Sequence, residues 1–348
     1  MKSNYRYIVK AFMAMAVIAG TTSCDDFLDR EPMSSISPET YYSTAAQLEA
    51  NLNDEYPNVL PSFGQWTYGI FGEDKGTDNQ IEVNANDRYT QDRWKVPHSE
   101  SDNWKFERIY RINFFLSEAL PKFGEDMSGS QNTISGSVAT IKHYIGEMYF
   151  LRAYEYFKKL QLFGDFPIIN QPLADEMEAL REASKRFPRN EVARFIISDL
   201  DKAYAYMSDV DMATTRINKD AAMLVKSRVA LFEATWLQNF KGTAFVPGGE
   251  GWPGASLHNN YQYPSGNLDN EVKYFLEQAV EASKLVADKY KGSLTENTGV
   301  LQQSADDPSN PYFDMFAQED LSDVKEVLLW RQYCLLYTSP SPRDRTRS

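Results

Sequence analysis

The residues able to do chemistry in this 348-residue chain fall into two groups, a single early cysteine and a set of aromatics in irregular segments. Cys24 follows three small residues, Thr21-Thr22-Ser23. Before them lie an apolar run, Ala11 to Gly20, and a positive stretch with Lys2, Arg6 and Lys10. The run suits the hydrophobic part of an export signal and is too short to cross a bilayer as a helix. Small residues with Cys directly after them point to lipid attachment at the thiol, which makes 1–23 a lipoprotein signal peptide and Cys24 the first mature residue. An ordinary cleavage site followed by a chance Cys is the competing reading. Two or more acyl chains would hold the protein stably on a membrane, because each buried methylene adds about 0.8 kcal/mol.

The second group is Trp66, Tyr68, Tyr89 and Trp94 within residues 57–101, and Trp252, Tyr261 and Tyr263 within 239–268. Both stretches are rich in Gly and Asn and have no sustained apolar period, so their aromatics are not demanded by a repeating core face. Flat aromatic faces beside a few polar groups suit carbohydrate CH surfaces. Stacking on a nucleobase contributes about 1–3 kcal/mol per ring, and a similar order is assumed for sugars. Trp94, Trp252, Tyr261 and Tyr89 are the leading ligand-contact candidates, with Asn79, Asp87, Arg88 and Asn260 as polar companions. The plainer alternative is that each ring only pins its own loop.

Catalytic signals are weak. No H-E-x-x-H, G-x-S-x-G or phosphate-loop pattern occurs. His98, His143 and His258 are not at metal-ligand spacing. The second cysteine is Cys334, so neither cysteine lies in the folded body, and thiolate zinc sites and thiol catalysis have no basis. With 49 carboxylates, a glycosidase-like pair could arise by chance and carries no information. No catalytic residue, metal or cofactor is therefore expected. The net charge of −13 argues against nucleic acid as a partner.

The elements that must position these groups read as helices. Ser37-Pro38-Glu39 and then Thr44-x-x-Gln47, a capping box, are start signals for a helix over about 37–55, ended by Pro57. A second is expected over about 102–120, capped by Ser101 or Asp102 and closed by Pro121. Residues 138–163 are apolar around most of the girth, so that helix should be central, with Gly164 stopping it. Further helices are expected over about 190–207, 218–238 and 270–290, and a short helix followed by a strand over 311–333. The pattern predicts a mainly all-α scaffold of tetratricopeptide-like hairpins carrying long irregular loops, without that repeat's strict signature. Glu147 and Arg152, on the central helix, are expected to satisfy each other or backbone groups, Asn113 to be a hydrogen-bonded core amide and Trp104 to be core.

Residues 334–348 stand apart. Cys334 to Asp344 reads CLLYTSPSPRD, which resembles a translated sequencing-library adapter, and the stretch lacks apolar periodicity. It is expected to be non-biological, with the natural sequence interrupted near Tyr333.

Several blocks, in order, resemble the SusD/RagB family of surface nutrient-binding lipoproteins: CDDFLDREP (24–32), NWKFERIYRINFFLSEA (103–119), YIGEMYFLRAYEYFKKLQLFGDFPII (144–169), PRNEVARFIISDLDKA (188–203) and INKDAAMLVKSRVALFEA (217–234). The resemblance spans 24–333, although family members continue well beyond that point. It implies a scaffold of four tetratricopeptide-like units, anchorage at the outer membrane with exposure at the cell surface, glycan capture without catalysis, and a SusC-type TonB-dependent barrel as partner. A lipid-anchored adaptor for a peptide or protein partner is the alternative function, and a glycoside hydrolase a third.

Overall fold

The computed structural model describes residues 41–61, 103–207, 212–301, 304 and 306–332. Its helices are α1 (Ala45–Val59), α2 (Glu107–Phe123), α3 (Val138–Phe163), α4 (Met177–Ala183), α5 (Arg189–Tyr206), α6 (Lys219–Asn239), α7 (Leu268–Tyr290) and α8 (Pro311–Met315), with a 3₁₀ turn at Pro253–Ser256. The signal segment, Cys24 and the 333–348 tail lie outside the described residues.

Helix starts follow local chemistry where a side chain supplies a cap. Thr44 Oγ1 accepts from Gln47 N at 3.3 Å while Gln47 Oε1 accepts from Thr44 N at 3.1 Å, the reciprocal box read from the sequence. Asn218 and Asn267 cap α6 and α7 by accepting from the backbone N–H three residues on, without the reciprocal bond. Two expected boundaries move. Pro57 and Pro121 sit inside α1 and α2, which run on to the fully buried Val59 and Phe123. A proline near a helix end forfeits only one backbone bond there, and burial of the following turn outweighs it. Helix α2 starts at Glu107, later than expected. Trp104 and Phe106 leave the helical path to join Phe163 and Phe166 in an aromatic cluster, with Phe106 stacked on Phe166 at 5.2 Å.

Helix α3 is the axis. It is buried on nearly all sides and packs against α1, α2 and α5. Gly146 permits the tightest crossing, since a Cβ there would come within 2.8 Å of Met207 N and 2.9 Å of the Ala203 carbonyl. That contact sets the start of α3 against the end of α5, so the two run antiparallel. Helices α6 and α7 form a second antiparallel hairpin. Lys289, at the end of α7, reaches Asp220 at the start of α6 at 2.6 Å. Helix α5 packs on α6 and joins the two hairpins into a row. The all-α hairpin architecture is therefore observed.

Buried charges stitch the row together. Arg152 grips Asp199 of α5 with two bonds, 2.6 and 2.9 Å, and reaches Asn113 of α2 at 2.9 Å. Asn113 donates in turn to the Ile169 carbonyl at 2.9 Å. Glu147 accepts from Arg216 at 2.8 and 2.9 Å and from the Tyr56 hydroxyl at 2.6 Å. Of the two expected outcomes, the Glu147–Arg152 pair does not form, whereas a backbone partner is found for Arg152 in the Asn170 carbonyl at 3.2 Å. Five residues apart on a helix they diverge by about 140°, and each finds a partner on a different element. The expected strand near 327–333 is also absent among the described residues, because Trp330 N to Thr214 O, at 3.1 Å, is a lone bond with no neighbouring strand to extend it.

Candidate ligand-binding site

The long loop between α6 and α7 folds back over one end of the hairpin row and is held by side chains at the start of α5. Proline precedes Arg189, so α5 has no local side-chain cap. Asp165, in the turn after α3, supplies one from a distance: its Oδ1 accepts from Arg189 N at 2.8 Å. The other oxygen, Oδ2, accepts from the Trp252 indole Nε1 at 2.7 Å. The Arg189 guanidinium lies 4.1 Å from the Trp236 ring centre and forks onto Glu233 at 2.9–3.1 Å. Asn190 donates to the Tyr261 hydroxyl at 2.9 Å and to Glu271 at 3.0 Å. Arg194 closes the corner on Glu271 at 2.7 and 2.8 Å and on Ser265 at 2.7 Å.

Burial raises the Asp165 carboxyl above its ordinary value, against the opposing bonds from Trp252 and Arg189 N. It raises Glu233 in the same way, against Arg189. Burial also works upward on Glu271, but hydrogen bonds from Arg194, Asn190 and Ser265 outweigh it and the group ends below its usual range. Burial pushes the Tyr261 and Tyr263 hydroxyls up, so both stay neutral donors at physiological pH.

Above this ionic floor the aromatics stack in sequence. His258 lies parallel to Trp252 at 6.0 Å, Tyr261 is tilted against Trp252 at 5.6 Å, and Tyr263 meets Tyr261 edge-on at 5.2 Å. Gly254 closes over the indole, where any Cβ would clash with the ring. Exposed amides rim the cluster at Asn259, Asn260 and Gln262. Asn260, at φ 55°, is the one non-glycine residue in the left-handed region among those described. Half-buried aromatic faces beside amide donors and acceptors can stack on and hydrogen-bond a polyol. Among the described residues no cluster of three or more His, Cys, Asp or Glu could hold a metal.

A second concavity lies on the flank of the row. A groove of about 650 Å³ runs between the end of α1, the middle of α3, the start of α6 and the extended segment 326–332. Tyr56, Phe150, Tyr154, Leu224 and Trp330 wall it, and Glu326 and Arg331 are among its few charges. Phe150 and Tyr154 are stacked at 6.1 Å, and Leu224 is 43% exposed.

Residues 26–231 match a SusD-like family described as starch-binding associating with outer membrane. That span is more than half of the sequence. The chain belongs to the SusD-like family. SusD-like protein P2 of Formosa agariphila is 25% identical over 253 residues, covering 69% of this chain and 46% of the relative. SusD-like protein P25 of the same organism is 25% identical over 233 residues, 62% of this chain and 41% of its own. The chain therefore spans less than half the length of these curated relatives. A solved SusD-like carbohydrate binding protein from Bacteroides vulgatus shares 13% identity over 74% of this chain and 47% of its own, with a TM-score of 0.44. A laminarin binding SusD-like protein shares 16% identity over 56% and 30%, with a TM-score of 0.33.

Of the four aromatics expected to contact ligand in this SusD-like chain, Trp94 and Tyr89 lie outside the described residues, as do Trp66, Tyr68, Asn79, Asp87 and Arg88. The structure brings Trp252 and Tyr261 together. Trp252 is only 5% exposed and its one polar atom is spent on Asp165. Tyr261 is half-buried, with its hydroxyl on Asn190. The floor of Asp165, Arg189, Asn190, Arg194, Glu233 and Glu271 escaped sequence reasoning. A signal for it existed: Glu233 sits on the same helical stripe as Val229, Ala230 and Leu237, all buried, so a charge there needs a buried partner.

Proposed function

We propose that this SusD-like chain is a non-catalytic, lipid-anchored surface protein that captures an oligo- or polysaccharide at the outer membrane and passes it to a SusC-type TonB-dependent barrel. The observation carrying this reading is the family match over 26–231, whose description combines starch binding with the outer membrane. Supporting it are the Thr-Thr-Ser-Cys24 lipidation pattern and the aromatic and amide surface at Tyr261, Tyr263 and Asn260. In this reading Tyr261 stacks on sugar, Trp252 backs it from beneath, and Trp94 and Tyr89 contribute from the first irregular segment. Affinity electrophoresis in gels containing soluble starch, laminarin or other glycans tests it. Retardation by at least one glycan, with no release of shorter products, is expected. Unchanged mobility across the panel sinks the reading, and turnover moves the protein to the hydrolases. Labelled palmitate should enter wild type and not Cys24→Ala.

One observation favours a second reading, a scaffold for a peptide or protein partner. The groove beside 326–332 is mostly apolar, a lining that suits an apolar polypeptide segment better than a polyol. Binding of apolar peptides with no glycan retardation would select it.

A further inference from the structure

The α6–α7 loop has no regular structure beyond one 3₁₀ turn, yet its rings stand in a fixed order, and the bonds that fix Trp252, His258 and Tyr261 come from residues far away in the chain. Asp165 follows Gly164, which caps α3 at φ 67° and turns the chain sharply away from the helix. Phe166 then pairs with Phe187 through two backbone bonds, 3.2 and 3.0 Å, so the stretch carrying Asp165 is anchored on both sides. The carboxylate's two oxygens serve two elements: the first turn of α5 and the loop's Trp252. His258, stacked on the indole, is itself held by its ring Nε2 against the Arg186 carbonyl at 2.8 Å. Tyr261 leans on the same indole, and Tyr263 on Tyr261. Removing the indole N–H contact therefore loosens the buried ring on which the half-exposed tyrosines rest, while Tyr261 keeps its bond to Asn190 and Tyr263 its bond to the Pro247 carbonyl.

We infer that Asp165 is a positioning residue for the ligand face of the α6–α7 loop, acting through the Trp252 indole on Tyr261 and Tyr263. The inference rests on the glycan-binding reading for its consequence in affinity, while the clasp itself is a property of the loop. It assigns different jobs to residues that sequence spacing treats alike: Tyr261 touches ligand, Trp252 transmits position, and Asp165 sets it.

The full chain tests this in two measurements. Trp252→Phe keeps an aromatic ring but removes the N–H, and it leaves the Asp165 cap on α5 in place. Asp165→Asn keeps the shape but turns one of the two acceptor oxygens into an NH2 donor, so the bonds from Trp252 Nε1 and Arg189 N can no longer both be kept. Calorimetric titration with the glycan that wild type binds, well below each variant's unfolding midpoint, should show each single variant about tenfold weaker, roughly the loss of one hydrogen bond to a charged group. The double variant should be no more than about twofold weaker than either single, because both act on the same clasp. Hydrogen exchange should accelerate over 252–263 in both variants while α6 and α7 keep their protection. Wild-type affinity in Trp252→Phe, with only a lower melting temperature, overturns the proposal, as does a fully additive double variant or unaltered exchange over 252–263. If Tyr261→Ala binds as wild type, or wild type binds no glycan, the functional reading falls and the proposed effect on affinity falls with it. Faster exchange with undiminished affinity in a wild type that does bind overturns the positioning role alone.

Discussion

The loop corner and the flank groove are built from similar aromatic residues and behave in opposite ways. In the corner the polar atoms of Asp165, Arg189, Asn190, Arg194, Glu233 and Glu271 find partners, and the rings of Trp252, Tyr261 and Tyr263 pack on one another above them. In the groove Tyr56, Phe150, Tyr154 and Trp330 line an open apolar trough with few polar neighbours. A satisfied polar floor makes a loop rigid and gives its outward faces a fixed geometry, which recognition of a polyol needs. An apolar trough has no such directional groups, so it discriminates by shape and area. Aromatic content alone does not mark a sugar site; what lies under the rings does.

Breaking the corner should cost most. Arg189→Ala leaves Glu233 buried without its cation and is expected to destabilise by about 3–5 kcal/mol in urea unfolding. A loss under about 1 kcal/mol would mean that the corner is not the stability centre its geometry indicates. Trp252→Phe, which orphans one Asp165 oxygen, should cost about 1–3 kcal/mol. Thr44→Ala, remote from both regions, should cost about 1 kcal/mol through the lost cap of α1. In the groove, Leu224→Asp should change stability by no more than about 1 kcal/mol, because over two-fifths of the side chain is already in water and it borders an open groove, while sharply reducing binding of an apolar dye or peptide. Equal costs for Leu224→Asp and Trp252→Phe would erase the distinction between the two regions.

Acid sharpens the comparison further. Glu271 has a folded value below its unfolded one, so its contribution is complete above the unfolded carboxylate value and is lost as pH falls through the folded value. Asp165 and Glu233 are shifted the other way, and their effect favours the fold at low pH and fades as pH rises through their folded values. Glu271→Gln should therefore flatten the loss of melting temperature between about pH 5 and pH 3 relative to wild type. An unchanged acid limb would show that Glu271 is not coupled to folding.

The two regions also differ in how far they could be read in advance. The groove's wall comes from periodic helices: Phe150 and Tyr154 lie on α3, whose apolar residues around most of its girth are legible in the sequence, and Leu224 and Val225 lie inside the helix expected over about 218–238. The corner was not legible. Asp165, Arg189 and Glu271 are separated by many residues and joined only where α3 ends, α5 begins and α7 begins. No periodic core requires the aromatics of 239–268, which is why they read as ligand contacts, yet Trp252 is buried by a non-periodic contact, its ring against Gly254 and its nitrogen on Asp165.

The sequence by itself determined the long helices, the Thr44 and Asn218 caps of α1 and α6, and the family. Those depend on side chains three and four residues apart and on local hydrogen bonds, which operate before any tertiary contact exists. Tertiary structure alone decided which charges pair, how far α1 and α2 run past their prolines, that 327–332 finds no strand partner, and which loop rings face inward. Each of these is a choice among partners distant in the chain, made when desolvating a group such as Glu233 or Asp165 forces it to take whichever donor the packed helices bring within about 3 Å.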